Sequence, residues 1–369
     1  MNTLLLLFAC AKPATSTKPP EDPGPPVVPA VVAPVYTTAP GVPRDPLIAW
    51  AARDLPYDEA LAGAAAGVAF EMLATGGGLD PSGLRWATVR AGWGWPVQGV
   101  SSELVDQGQL PAGMVSELRA GLKPGQTIGL ARVRDDMGSG DLWVGLTSTP
   151  ALDLAPIRRE QDVGATLTLG VRVDSAPPEG LRVLAASPSL RLVDGPSLTL
   201  DEPGEWVVEL RQAQAGGGER ALAQLPIYVG EPTPDDGPFE RPDAPPADVG
   251  EALRGAIAGV NGLRGLSSAQ ALSTDPVLAA TARSEATRRA AGGGPSADSE
   301  ARLRRAGFPT GDVAELSCRA PTVQSCLDGL FWSPTSRAAL LNPNMTLLGV
   351  GAELTDGQLT LVLGMAAGS

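Results

Sequence analysis

The chain is predicted to be a multidomain α+β protein, and three features of its 369 residues lead there. Two proline-dense stretches, 11–46 and 231–246, carry no periodic apolar face and divide the sequence. Around them the hydrophobic period changes from helical spacing to strict alternation and back. The length exceeds what one ordinary core absorbs. The implied organisation is a leader at 1–9, a tether at 10–46, a mixed α/β domain at 47–150, a β-sandwich at 151–230, a linker at 231–247 and a second mixed domain at 248–369.

Composition narrows the chemistry before any motif does. With 43% hydrophobic but 4% aromatic residues, 45 Gly and 36 Pro, the cores must be built from Ala, Leu and Val between many turns. A net charge of −13 argues against nucleic acid as a partner, because phosphate neutralisation needs a basic surplus. The absence of histidine removes Ser/His/Asp triads, Cys/His dyads and the usual catalytic zinc sites. Lysine occurs only at Lys12, Lys18 and Lys123, so a Ser/Lys dyad is excluded from the C-terminal half. No cofactor and no metal are expected.

The leader opens Met1-Asn2-Thr3, followed by the apolar run Leu4–Phe8, Ala9 and Cys10. Leu7-Phe8-Ala9-Cys10 resembles a bacterial lipoprotein processing site, which implies cleavage before Cys10 and a diacylglycerol on its thiol. By the same resemblance Ala11 after the Cys suggests the outer membrane, on its periplasmic or surface face. The membrane is then a partner through the lipid, and the Pro/Thr/Ser-rich residues that follow, with Pro19-Pro20 and Pro25-Pro26, hold the domains away from it.

In the last segment Leu253, Ile257, Val260 and Leu263 recur at helical spacing, and Gly265 ends the run. A second helix starts at Pro276 behind an Asp275 N-cap and repeats Leu278, Ala282 and Ala286 on one face. A third covers Ser299–Ala306 and a fourth Thr322–Leu330. Leu347–Leu354, a turn at Asp356-Gly357, and Leu359–Met365 form an antiparallel hairpin.

Asn261-Gly262-Leu263-Arg264, Asp275-x-x-Leu278, Ala306-Gly307-Phe308, Ala314-Glu315, Ser333-Pro334-Thr335-Ser336-Arg337, Leu340-Leu341-Asn342-Pro343 and Leu348-Gly349-Val350-Gly351 follow one another in an order that resembles the CAP superfamily (cysteine-rich secretory, antigen 5 and pathogenesis-related 1 proteins). The resemblance spans roughly 110 residues and implies an α-β-α sandwich with a small sheet between helices. It also implies a cavity to which Glu315, Ser336 and Arg337 belong. Ser336 stands where the family has a histidine, and the family's other cavity histidine is missing, so its metal-assisted chemistry is not expected here.

Residues 47–150 read as a diverged copy of the same unit, which makes it a second CAP-like α/β domain. Asp58-x-x-Leu61, Ala65 and Ala69 answer Asp275-x-x-Leu278, Ala282 and Ala286. Gly76–Gly78 answers Gly292–Gly294, Ala91-Gly92-Trp93 answers Ala306-Gly307-Phe308, Glu103-Leu104 answers Glu315-Leu316, and Ile128–Ala131 answers Leu348–Gly351. Between the copies, Thr166–Leu169, Leu181–Leu184, Ser197–Leu200, Trp206–Leu210 and Ile227–Val229 alternate with period two, which predicts an immunoglobulin-like β-sandwich with Trp206 as a core plug.

Three functions fit these readings. The first is a non-catalytic envelope module that binds a cell-wall, lipid or protein ligand. The second is a hydrolase pairing Glu315 with another carboxylate such as Glu353. The third is a purely structural surface protein. Arg283, Arg288, Arg289, Arg302, Arg304 and Arg305 suggest a positive face for anionic envelope polymers or lipid headgroups. Cys318 and Cys326, the thiols left once Cys10 is acylated, are expected to pair in an oxidising compartment and to clamp the loop after Glu315 onto the following helix.

Overall fold

A computed structural model describes residues 35–75, 81–135, 140–170, 179–189, 191–213, 219–234, 244–293, 299–308 and 313–368. The leader, Cys10 and most of the tether lie outside the described residues, as do 76–78 and 294 of the two glycine runs. Mixed α/β architecture with several separate sheets is what the structure shows.

The first unit contains β1 (Val35–Tyr36), α1 (Pro46–Ala52), α2 (Glu59–Thr75), α3 (Pro81–Arg90), β2 (Val97–Asp106), α4 (Ala112–Gly121), β3 (Thr127–Arg134) and β4 (Gly140–Ser148). Its sheet has the order β2-β4-β3. Ile48, Ala51, Met114, Val115, Leu118, Ile128, Leu130 and Trp143 form the core beneath α1 and α4. Leu61, Ala65, Val68, Ala131, Val133 and Val144 pack on the opposite side with α2 and α3. Alternation along each strand thus feeds two helical layers.

Residues 35–46, expected to be tether, are instead folded in. Tyr36 is buried and its hydroxyl donates to the Pro226 carbonyl at 2.8 Å, while β1 pairs with Ile157–Arg158. Asp45 caps α1 through Leu47 N and Ile48 N. Proline density marked the absence of helix here, and the segment proves extended but docked.

The middle strands are β5 (Ile157–Arg158), β6 (Glu160–Gln161), β7 (Ala165–Thr168), β8 (Leu181–Ala186), β9 (Leu192–Asp194), β10 (Ser197–Leu200), β11 (Gly204–Ala213) and β12 (Glu219–Val229). They make a five-stranded sheet β6-β12-β11-β8-β9 and a two-stranded sheet β10-β7. Leu167, Leu198 and Leu200 join Val183, Ala185, Trp206, Val208 and Leu210 in one core. Trp206 is fully buried, its indole donating to the Glu202 carbonyl at 2.9 Å, so the residue plugs the core as its sequence setting implied. That core runs on into Trp93 and Trp95 of the first unit.

The second unit contains α5 (Val249–Leu266), β13 (Ser273–Thr274), α6 (Pro276–Ala290), α7 (Ser299–Arg305), β14 (Val313–Ala320), α8 (Val323–Phe331), α9 (Pro334–Leu341), β15 (Leu347–Thr355) and β16 (Gln358–Ala366), with sheet order β13-β15-β16-β14. Leu359, Leu361, Leu363 and Met365 face α5, α8 and α9; Val362 and Ala366 face α6 and α7. The hairpin turns at Asp356 and Gly357, both at positive φ, where the glycine carries no strain. Apart from the two-residue β13, sequence periodicity did not reveal two elements of this unit. One is α9, whose eight residues are too few to display a period; the other is β14, whose half-buried residues hide the alternation.

The two mixed units share more than layers. Asp58 N donates to Ile128 O and Asp275 N to Leu348 O, each at 2.9 Å, and each aspartate then caps the helix that follows. In both, a strand glycine lies against that helix's backbone. A Cβ on Gly129 would stand 2.3 Å from the Leu61 carbonyl carbon, and one on Gly349 would stand 2.1 Å from that of Leu278. α3 and α7 end in the same Schellman turn, with Gly92 and Gly307 at positive φ and Trp93 and Phe308 donating back five residues.

Candidate functional site

Glu285 lies on the buried face of α6 and Glu315 on the α6 side of β14, and both side chains are 2% exposed. Three arginines neutralise them. Arg288 grips Glu285 through Nε at 2.9 Å and Nη2 at 2.5 Å, Arg289 Nε approaches the same carboxylate at 2.7 Å, and Arg302 reaches across from α7. Arg302 Nη1 is 3.3 Å from Glu285, and its Nη2 donates to Glu315. Arg289 also donates to the Ser317 hydroxyl and stands 3.7 Å from Glu315 Oε1. That Oε1 is buried and accepts no hydrogen bond among the described residues.

The electrostatics of Glu285 are a contest between opposed effects. Burial penalises its charge, but hydrogen bonds from Arg288 and Arg289, helped by the charge of Arg302, prevail and hold it at about 2. A general acid working near neutrality needs the opposite shift. Glu285 therefore holds fixed charge rather than a proton to donate.

The first unit offers a comparison at the corresponding positions. Counting from Leu61 and Leu278 along the helices, Glu285 corresponds to Val68 and Arg289 to Met72; counting back from the Schellman glycines, Arg302 corresponds to Ala87. Across the strands, Glu315 pairs with Gly364 and thence Gly349, while Val100 pairs with Leu146 and thence Gly129. Glu315 thus corresponds to Val100. Val68, Met72, Ala87 and Val100 lie together in one hydrophobic cluster. The expected match of Glu103 with Glu315 is out of register by three residues, so the two side chains face opposite sides of their sheets. Glu103 instead accepts from Met114 N at 3.1 Å, supplying the N-terminus of α4 with the acceptor its Pro111 cap lacks.

Other expected site residues fall elsewhere. Arg337 does not meet Glu315: its Nη1 pairs with Glu205 of β11 at 2.9 Å and its guanidinium covers the Phe331 ring, so it joins the second unit to the middle sheet. Ser336 is half-buried on α9. Glu353 accepts from Thr287 at 2.6 Å, and its β16 neighbour Thr360 is four residues from Gly364, the neighbour of Glu315. Four residues of strand rise span about 14 Å, beyond the carboxylate separations used in glycoside hydrolysis. The carboxylate that shares arginines with Glu315 is Glu285, two residues after Arg283 within the Arg-rich stretch. Arg283, Arg304 and Arg305 are exposed, but the other three arginines of that stretch are occupied by buried acid, so no uniform positive face forms.

Cys318 and Cys326 are disulfide-bonded, Cα to Cα 5.4 Å. The bridge ties β14 itself, three residues past Glu315, to α8; the expected loop is a strand. Arg264, at the end of the Asn261–Arg264 motif, is fully buried with its charge spread over the carbonyls of Gln270, Leu340, Asn342 and Met345 at 2.7–3.2 Å. It is a strut of the fold. Among the described residues there is no group of three or more His, Cys, Asp or Glu side chains that could hold a metal ion, and no helix is long and apolar enough to cross a membrane.

No family model and no curated protein matches the chain. Among solved structures it is similar to an outer surface protein from Borrelia burgdorferi, at 16% identity over 33% of this chain and 96% of that one, TM-score 0.29. It is also similar to an extracellular protein containing an SCP domain from Bacillus anthracis, at 18% identity over 47% of this chain and 63% of that one, TM-score 0.28. A cysteine-rich secretory protein from Staphylococcus aureus is similar at 16% identity over 43% of this chain and 56% of that one, TM-score 0.27. The chain thus spans somewhat over half the length of the latter two. The correspondence between its own two mixed units rests on their hydrogen-bond registers and not on these likenesses.

Proposed function

We propose that the chain is an exported bacterial lipoprotein anchored through Cys10, with two copies of a CAP-like unit flanking a β-sandwich of immunoglobulin-like type. In this reading the second copy is a non-catalytic module that binds an anionic ligand of the cell envelope. One observation carries the ligand-binding role: the scaffold packs hydrocarbon at Val68, Met72, Ala87 and Val100, yet keeps Glu285, Arg289, Arg302 and Glu315 at the same places in the second copy. A buried ion cluster seldom stabilises more than the apolar residues that would replace it. Three guanidiniums against two carboxylates leave a positive surplus, and Arg288 is 40% exposed at the rim.

The non-catalytic reading is supported by the missing imidazoles and by the low proton affinity of Glu285. Anchoring is tested by mass spectrometry of the mature membrane-extracted protein, which should begin at an acylated Cys10; an intact Met1 peptide would refute it. Binding is tested by native mass spectrometry of envelope material copurifying with residues 35–369. The expected result is an acidic adduct on the wild type that Glu315→Val/Glu285→Val/Arg302→Ala/Arg289→Met lacks; an adduct retained by that variant would refute the assignment.

A further inference from the structure

At the junction of the three folded units the structure encloses a second, unrelated site. α3 of the first unit, β12 of the middle sheet and α8 of the second unit line a cavity of about 250 Å³. Its walls are largely apolar, with Ser325 and Asp328 among the polar residues: Trp93 and Trp95 stand with ring centroids 5.0 Å apart, and Trp332 joins the lining from the end of α8. Into this lining α3 contributes Arg85, whose guanidinium stacks over the Trp332 ring at 4.3 Å and donates to Gln224 Oε1. Gln224 is itself oriented by donating to Glu209 at 2.6 Å. Arg85 makes no ion pair with a carboxylate among the described residues; burial costs its charge, and Glu209, Glu205 and Asp328 offset part of that cost from beyond contact distance. Burial pulls it down to about 9, so it remains a cation at neutral pH. The Trp95 indole N–H is buried without an acceptor among the described residues.

A cation with no carboxylate in contact among the described residues, an indole donor without an acceptor there and flat apolar walls together suit an anion with a planar body, with Arg85 rather than Asp328 as its partner. The volume, that of about eight waters, limits it to one or two rings. We propose that this cavity binds a small aromatic carboxylic acid, its carboxylate on Arg85 and its ring between Trp95 and Trp332. Every wall comes from a different unit, so occupancy ties the three together, and the site is independent of the Glu285–Glu315 cluster.

Titration calorimetry of the mature chain with 2-naphthoate, and with its neutral amide, tests this. Wild type should bind the acid at least tenfold tighter than the amide. Arg85→Gln should erase that preference. Gly329→Leu supplies a variant that need not disturb folding, because a Cβ at Gly329 meets nothing within 4 Å and the residue lines the cavity. It should abolish binding of both compounds without lowering Tm. Failure of the wild type to bind the acid, equal affinity for acid and amide, or binding that survives Gly329→Leu would each overturn the proposal.

Discussion

Replacing Glu285, Arg289, Arg302 and Glu315 by the residues of the twin unit, Val, Met, Ala and Val, should leave the fold as stable as before. The single change Glu285→Val should not. With it, Arg288, Arg289 and Arg302 lose the carboxylate they converge on, and breaking a buried pair in this way costs about 3–5 kcal/mol. The four changes together remove both buried carboxylates and the two less exposed guanidiniums, and Arg288 returns to water; exchange of such clusters for packed hydrocarbon is neutral or stabilises by about 1–4 kcal/mol. Acid separates the two effects. Glu285 sits near 2 when folded against an ordinary 4.5, so its contribution is present above pH 4.5 and is lost as pH falls toward 2. A shift of that size corresponds to about 3 kcal/mol. Urea unfolding followed at pH 7 and at pH 2.5 is the assay. Wild type should lose most of this increment between the two pH values and the quadruple variant should not. A quadruple variant as weak at pH 7 as Glu285→Val would show that the charges hold the fold together, and the functional argument would fail.

Further expectations concern the scaffold. Arg264→Met removes the donor to four carbonyls, those of Leu340 and Met345 in buried bonds, and should cost about 3–5 kcal/mol; Arg264→Lys, with three donors on a single nitrogen, should recover only part of it. Gly129→Ala and Gly349→Ala each drive a methyl into helix backbone and should destabilise by similar amounts, about 2–4 kcal/mol in thermal melts; a neutral Gly349→Ala would contradict the shared packing. Reduction of Cys318–Cys326, which closes a short loop, should cost about 2.5 kcal/mol, and alkylation of denatured, unreduced protein should label neither thiol.

Much of this architecture was legible because it depends on local chemistry. Asp275-Pro276, Gly307-Phe308 and Asp356-Gly357 announce a helix start, a helix end and a hairpin through backbone preferences that any context respects. Asp58 with Leu61, and Gly129, were recognisable as counterparts of Asp275, Leu278 and Gly349 because strand and helix meet there at backbone distance and tolerate few residues. The site was less legible. Glu315 was singled out, but Glu285 was not, although its place seven residues after Leu278 and three after Ala282 puts it on the apolar face of α6. Its position three before Arg288 and four before Arg289 reads as an exposed ion pair, which masked that signal. Arg337 and Arg85 act across unit boundaries, on Glu205 and on Trp332 with Gln224 respectively, and sequence periodicity carries no information about such contacts.

The charge cluster is proposed to serve recognition. Co-sedimentation of the soluble chain with purified cell-wall sacculi and with anionic vesicles, at low and at physiological salt, measures that directly when wild type is set against the folded quadruple variant. Binding of the wild type to one of these surfaces, weakened by salt and reduced at least tenfold in the variant, is the predicted result. Equal sedimentation of the two proteins, or of neither, would contradict it.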